Sequence, residues 1–599
     1  MKNKKKLPKG TVKRIIGYIR GYKLLFLISL LMGAVSVALS LYIPLLIGQA
    51  IDLIIGKALV DIPAVINKLL ICGVCIAVAA LSQWIMNIIG NKITYNVVRD
   101  IRRDAFRKIE TLPLSYLDTH PSGETVSRVI SDVDQFADGL LMGFSQLFTG
   151  ALTIVGTLAF MIALSPSITV LVFVLTPISL FVAAFIAKNT HDMFTLRAKT
   201  NAEQTAFIDE SVTAEGVISA FGIADAKQAQ FDEINDRFKV CSIRAIFFSS
   251  LTNPCTRFVN SIVYAVVALV GALSAIELGG AFSVLFPVIS IGSIATLLSY
   301  ANQYTKPFNE ISGVITELQN SLACIDRVFT LLDEKSEVAD LPDAPVSPVP
   351  TGKVIFDNVS FAYTENQKLI ENLSLSVDSG KKIAIVGPTG CGKTTLINLI
   401  MRFYDVKSGS ISVGVEENGS ESIYDVRNIT RNGLRSCYGM VLQETWLKRG
   451  TIRDNILIGK PNATDEEIIT AAKAAHAHSF IKRLPNGYDT VIGEDGGSLS
   501  QGQKQLLCIT RVMLSMPPML ILDEATSSID TRTEQRIQSA FNTIMRGRTS
   551  FIVAHRLSTI RSADLILVMN NGNVVEQGTH DELIAANGFY ATLHAAGQN

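Results

Sequence analysis

Six runs of about 20 apolar residues, near 24–47, 69–89, 140–164, 168–187, 246–272 and 281–300, occupy the first half of the chain. A run of that length crosses the hydrocarbon core of a bilayer as a helix, which satisfies its own backbone hydrogen bonds where there is no water. Each run is almost free of ionised side chains; Arg257 interrupts the fifth, and Gly279-Gly280 separates it from the sixth. The first run exceeds the roughly 7–15 apolar residues of a signal peptide, so it reads as a retained span. An all-α six-helix membrane domain is therefore expected.

The rest of the chain differs. Charged residues make up 18% of the whole, below the about 25% usual in soluble proteins, and charge is sparse before Lys306 and abundant after it. With 599 residues the chain exceeds the roughly 250–300 that one core supports. The reading is a membrane domain over 1–332, an acidic, proline-bearing linker over 333–352, and a soluble domain over 353–599. A net charge of +1 gives no reason to expect nucleic acid. Cys72 and Cys75 lie in an apolar run and read as small residues packed in a helix, and the eight cysteines suggest no disulfide framework.

Lys and Arg orient the spans. Lys9, Lys13, Arg14, Arg20 and Lys23 precede the first, and Lys92, Arg99, Arg102, Arg103, Arg107 and Lys108 follow the second. Spans three and four are joined only by Ser165-Pro166-Ser167. The expectation is a multi-pass plasma-membrane protein with both termini cytoplasmic, although the basic tail also suits a lipid-binding patch. The inner loops 91–110 and 204–240 read as membrane helices continuing into the cytoplasm, broken at 113–118 and 215–222. Apart from Arg257 the spans offer no proton relay, which favours an apolar or amphipathic cargo.

After the linker, short β runs such as 382–386, 519–522, 550–554 and 565–569 alternate with helical stretches, which implies an α/β domain on a largely parallel sheet. Gly387-Pro388-Thr389-Gly390-Cys391-Gly392-Lys393-Thr394-Thr395 fits the phosphate-loop pattern, after one such strand and opening a helix. Its glycines let backbone N–H groups converge on phosphate oxygens at a helix N-terminus. Lys393 suits the β- and γ-phosphates of ATP and the Thr394 hydroxyl suits Mg²⁺. The apolar run 519–522 ends in Asp523 and Glu524; Asp523 suits the metal shell and Glu524 the attacking water.

At this point the whole chain resembles the ATP-binding cassette (ABC) superfamily, specifically bacterial exporters of the half-transporter type. Leu499-Ser500-Gln501-Gly502-Gln503 is similar to the family signature LSGGQ. The resemblance implies that Gln443 contacts Mg²⁺ and water, that Asp530 belongs to the D-loop, and that His555 contacts the γ-phosphate. It also implies that Tyr363 stacks on adenine, and that Ser500, Gly502 and Gln503 cap the ATP held by another chain. A cassette dimer follows. The breaks at 113–118 and 215–222 resemble coupling helices, and Glu494-Asp495-Gly496 resembles the X-loop. Gln501 stands where the common signature has Gly, a variant that resembles one chain of heterodimeric exporters. A second half-transporter is therefore expected, heterodimer favoured over homodimer. The cargo expected is a small drug, lipid or peptide, moved outward by alternating access. An ATP-gated channel or a non-transporting membrane ATPase is the alternative reading.

Overall fold

The structure is a computed structural model. It describes residues 9–55, 60–276, 288–345, 348–364, 369–417, 419–443, 445–493, 496–497, 499–523, 529–554 and 557–596. Two compact units emerge: residues 1–111 with 120–334, and residues 112–119 with 335–599.

The first unit is all helix. In chain order its elements are α1 (Lys9–Ile19), α2 (Lys23–Ile55), α3 (Ile62–Glu110), α5 (Ser122–Val129), α6 (Ser131–Met142), α7 (Phe148–Leu164), α8 (Pro166–Thr213), α9 (Glu215–Phe221), α10 (Ala224–Ser250), α11 (Thr252–Ala275) and α12 (Ile291–Asp333). The intervening α4 (Leu114–Thr119) belongs to the second unit. Among the described residues, four continuous stretches are long and apolar enough to cross a membrane: Gly10–Ile54, Ile62–Glu110, Ser122–Leu164 and Ala224–Ala275; Pro166–Ile178 is a shorter apolar stretch. Of the sixth expected span, 281–287 lie outside the described residues, 288–290 precede the helix and α12 carries 291–300.

Helix α3 shows how sequence builds this unit. Asp61 caps it by accepting from the Ala64 N–H at 3.0 Å, and Arg107 and Lys108 in the last turn complement the helix dipole. Its 49 residues rise about 1.5 Å each, more than twice the ~30 Å hydrocarbon core. Ile66, Leu70, Val74, Leu81, Trp84 and Ile88 are exposed along it, whereas Cys72, Ala79, Ser82 and Gly90 are buried. Apolar side chains outward and small ones inward is the pattern of a helix solvated by lipid. Helices α2 and α12 also meet through small residues. A Cβ on Gly292 would come within 2.0 Å of the Gly48 carbonyl, and Asp52 accepts from Gly292 N and Ser290 Oγ at 2.7 Å each.

Both expected breaks are short helices. They are α4 over 114–119, and α9, which ends at Gly222 in the left-handed region (φ 63). On α9, Val217 and Phe221 are exposed and Ile218 is buried.

The second unit carries two main sheets. One is antiparallel, in the order β2 (Ile370–Val377), β1 (Pro350–Phe361), β4 (Ser408–Glu417), β5 (Ser420–Asp425). The other runs β12 (Asn573–Gly578), β11 (Leu565–Asn570), β3 (Lys382–Val386), β10 (Thr549–Val553), β9 (Met519–Asp523), β6 (Tyr438–Val441), parallel except for the edge strand β12. A short pair, β7 (Gly450–Thr451) and β8 (Val491–Ile492), lies apart from both. Alternate residues of the parallel sheet feed two different cores. Ile383, Ile385, Ile521, Phe551 and Val553 pack with the helix 393–400 and with strands of the antiparallel sheet. Ala384, Val386, Leu520, Leu522 and Ile552 pack with the helices of 452–545.

The segment before β1 is fastened to this unit. Glu337 and Asp340 pair with the buried Arg431 at 2.9 and 2.8 Å, Arg431 also meets Asp405 at 3.5 Å, and Thr430 donates to the Pro345 carbonyl. A buried guanidinium needs such partners on several sides, and the acidic segment supplies them.

Candidate functional site

Strand β3 is buried over 383–386, and the chain then turns through Gly387, Gly390 and Gly392, all at positive φ. Gly387 is irreplaceable on space alone, since a Cβ there would come within 2.2 Å of the Met569 carbonyl. Helix α13 (Lys393–Ile400) starts directly after Gly392. Its first-turn N–H groups therefore face the loop, the arrangement that binds anions. The Lys393 ammonium is held over the loop by the carbonyls of Gly387 and Pro388 at 2.8 and 3.0 Å. Pro388, Thr389, Gly390 and Thr394 are exposed, whereas Cys391 and Thr395 are buried.

Tyr363 follows β1. Its hydroxyl lies 3.1 Å from Thr395 Oγ1, and its ring meets Phe361 and Tyr404 edge-on, with centroids 5.1 Å apart in each case. Tyr363 is 45% exposed, so this aromatic stands at the surface, anchored to the phosphate-loop helix.

The other expected residues follow neighbouring strands. Val553 of β10 pairs with Ile385 of β3 on one side and Asp523 of β9 on the other, and Val441 of β6 pairs with Leu522. The loop after β3, Asp523 and Gln443 thus share the C-terminal edge of the parallel strands, where ligands of open α/β sheets bind. Glu524 and His555 lie outside the described residues, as do Glu494, Asp495, Ser527 and Ser528; the strands before Glu524 and His555 end at Asp523 and Val553.

The signature begins helix α14 (Gln501–Ser515). Ser500 Oγ accepts from the Gln503 N–H at 3.3 Å, and Gln503 Oε1 accepts from the Ser500 N–H at 3.0 Å, a reciprocal capping box. Gly502 lets α14 close on α15 (Thr531–Met545); a Cβ there would lie 2.4 Å from Thr533 Cγ2. Asp530 caps α15 by accepting from the Thr533 N–H at 3.0 Å, and that bond holds its carboxyl below the usual carboxylate range. Gln501 is exposed, with Nε2 3.5 Å from Thr445 Oγ1.

Two residues that the sequence alone did not single out, Arg511 and Tyr404, complete the arrangement, and Thr395 of the phosphate loop also fixes Tyr363. Arg511 of α14 donates to the carbonyls of Asn455 and Trp446 at 2.6 and 2.7 Å, tying the signature helix to the segment after Gln443. Tyr404 donates to the Asp118 carboxylate on α4, and burial together with that carboxylate pushes its phenol up. Long-range pairing of this kind leaves no local signal in a sequence.

A phosphate loop, a carboxylate and an amide along one sheet edge, with a capped signature helix in the same unit and a long-helix membrane unit earlier in the chain, define a class. Residues 26–308 match the ABC transporter transmembrane region and residues 370–527 the ABC transporter family. The chain belongs to the ABC transporters and has the exporter architecture. It is similar to an uncharacterised ABC transporter ATP-binding protein, YfiC, of Bacillus subtilis (38% identity, covering 99% of this chain and 95% of that one). It is likewise similar to a fatty acid ABC transporter ATP-binding/permease protein of Mycobacterium tuberculosis (41%, covering 90% and 82%). A putative multidrug export ATP-binding/permease protein, YgaD, of Bacillus subtilis matches at 36% (98% and 99%). Among solved structures, a bacterial Atm1-family ABC exporter with ATP bound superposes with TM-score 0.74 at 26% identity, covering 98% of this chain and 99% of that one. The cassette is thus an ATP-binding ATPase coupled to transport, in a protein class that works as a dimer in the membrane.

Proposed function

We propose that this chain moves a small apolar or amphipathic molecule from the cytoplasmic side outward by alternating access, as one half of a transporter whose other half is a second ABC chain. The domains run 1–332, 333–352 and 353–599, with both termini cytoplasmic. The observation that carries the reading is the shared sheet edge, where Lys393 opens the helix after β3, Asp523 ends β9 and Gln443 follows β6.

In this reading Tyr363 stacks on adenine, and residues 387–395 cradle the phosphates through backbone N–H groups and the Lys393 ammonium. The donors near the γ-phosphate are oxygens, namely Thr394 Oγ1, a carboxylate of Asp523 and the amide of Gln443, which suits Mg²⁺ held mainly by phosphates with few protein ligands. Mg²⁺, when bound, neutralises charge on the phosphates. Glu524 orients the attacking water and takes its proton, while His555 donates to the γ-phosphate. Ser500, Gly502, Gln503 and Asp530 meet the nucleotide of the opposite chain. The signature variant at Gln501 favours a heterodimer over a homodimer.

Helices α4 and α9 act as couplers. The bond from Tyr404 to Asp118 holds α4 on the cassette, and the exposed Val217 and Phe221 of α9 await an apolar groove on the second chain. ATP shifts the equilibrium because it binds the closed cassette pair better than the open one. ATP-dependent accumulation of a fluorescent amphiphile in inverted vesicles tests the reading. Flux that depends on ATP and disappears with Glu524→Gln is expected; ATP hydrolysis without flux of the amphiphile overturns it.

A further inference from the structure

Arg257 interrupts the apolar run of α11, and the fold gives it a setting. With Asn260 and Tyr264 it forms one face of that helix, at i, i+3 and i+7. That face lines a cavity of about 560 Å³ opposite Asn302, Lys306 and Glu310 of α12. No ion pair engages Arg257, Lys306 or Glu310 among the described residues, and Asn260 Oδ1 is buried without a hydrogen-bond partner. Two cations and one acid leave a positive excess. Like charges gathered around one pocket repel, and an anion between them offsets the cost.

Depth adds a second constraint. Helix α11 runs Thr252–Ala275, so about 27 Å of helix separates Arg257 from its far end at ~1.5 Å per residue, close to the ~30 Å core. Arg257 therefore sits at one boundary of the hydrocarbon, at the end joined to the charged helix α10. Beyond the cavity the two helices close on apolar contacts. Val263 and Val267 pack with Leu297, Tyr300 and Ala301, and Gly271 abuts Ile294. A charged pocket at interface depth with an apolar seam beyond it selects a ligand with an ionised head and a hydrocarbon tail.

We propose that this cavity is the head-group site of the cargo, and that the cargo is an anionic amphiphile, a carboxylate or phosphate on an apolar chain. The proposal rests on the export reading above and narrows its substrate class. Arg257 and Lys306 bind the anion, and the Asn260 amide, with its oxygen and nitrogen exchanged, offers N–H to the same group.

The test uses the full chain in phosphatidylcholine nanodiscs without nucleotide, with a photoactivatable dodecanoate as probe. Dodecyl phosphate and dodecanoate are expected to displace the probe, with dodecanol and dodecylamine at least about tenfold weaker and inorganic phosphate without effect. Arg257→Gln and Lys306→Gln should each weaken binding about tenfold, the scale of one charge-assisted hydrogen bond, and Arg257→Lys should restore most of it. Dodecanol matching dodecyl phosphate, inorganic phosphate competing as well as the amphiphile, or Gln variants binding like the parent overturns the proposal. Arg257→Lys losing as much as Arg257→Gln also overturns it. Failure of the export reading looks different: the probe binds as described, yet ATP moves no dodecyl phosphate across vesicles.

Discussion

Leu396 and Leu506 lie on opposite faces of one parallel sheet. Leu396, in the helix that follows the phosphate loop, packs with Ile383 and Ile385; Leu506, in the signature helix, belongs to the core built on Ala384 and Leu522. Successive strand residues point to opposite faces, so the sheet itself stands between the two helices. A signature so placed serves the phosphate loop of another cassette more readily than its own. The dimeric site expected from the family resemblance thereby acquires a geometric reason within this chain.

Lys393 is nine-tenths buried with its ammonium over two loop carbonyls. Replacing it with Ala removes the charge proposed to meet the phosphates and should weaken ATP binding at least about tenfold. Fluorescent-nucleotide titration of the purified chain measures this, and an unchanged affinity contradicts the contact.

Glu524→Gln keeps the shape of the side chain and removes its basicity. Nucleotide binding should survive, while turnover falls by about 100-fold or more, the usual contribution of a positioned base. Steady-state phosphate release decides it; more than about a tenth of parent turnover takes Glu524 out of this role.

Gly502 separates a packing role from a nucleotide role. A Cβ there meets Thr533 Cγ2 at 2.4 Å, so Gly502→Ala should cost ~1–3 kcal/mol by overpacking. Thr533→Ser deletes that methyl, and the double variant should recover most of the loss in thermal unfolding. If ATPase stays low in the stable double variant, Gly502 also serves the nucleotide of the opposite chain. If neither property changes in the single variant, the close packing is wrong.

Tyr404→Phe deletes the donor to Asp118. It should weaken the hold on α4 by about 1 kcal/mol and lower cargo moved per ATP more than it lowers ATPase. Paired flux and hydrolysis assays give the ratio, and equal falls in both contradict a coupling role.

Local chemistry made much of this legible. Hydropathy marked the long helices because lipid demands apolar surface, and the glycines of 387–392 marked a turn that only they can make. The breaks at α4 and α9 follow from adjacent residues. Hidden were the contacts between distant segments, such as Glu337 and Asp340 with Arg431, Arg511 with Asn455, and Thr395 with Tyr363. In the sequence Arg257 is an isolated exception within an apolar run. Only the pairing of α11 with α12 brings Lys306 and Glu310 to the same cavity.

The central claim is that one chain holds half of each ATP site. The direct measurement is ATPase turnover across size-exclusion fractions whose mass is read by light scattering, for this chain alone and with a candidate second half-transporter. Turnover confined to fractions containing two cassettes is predicted; a monomeric fraction hydrolysing ATP at the full rate would contradict it.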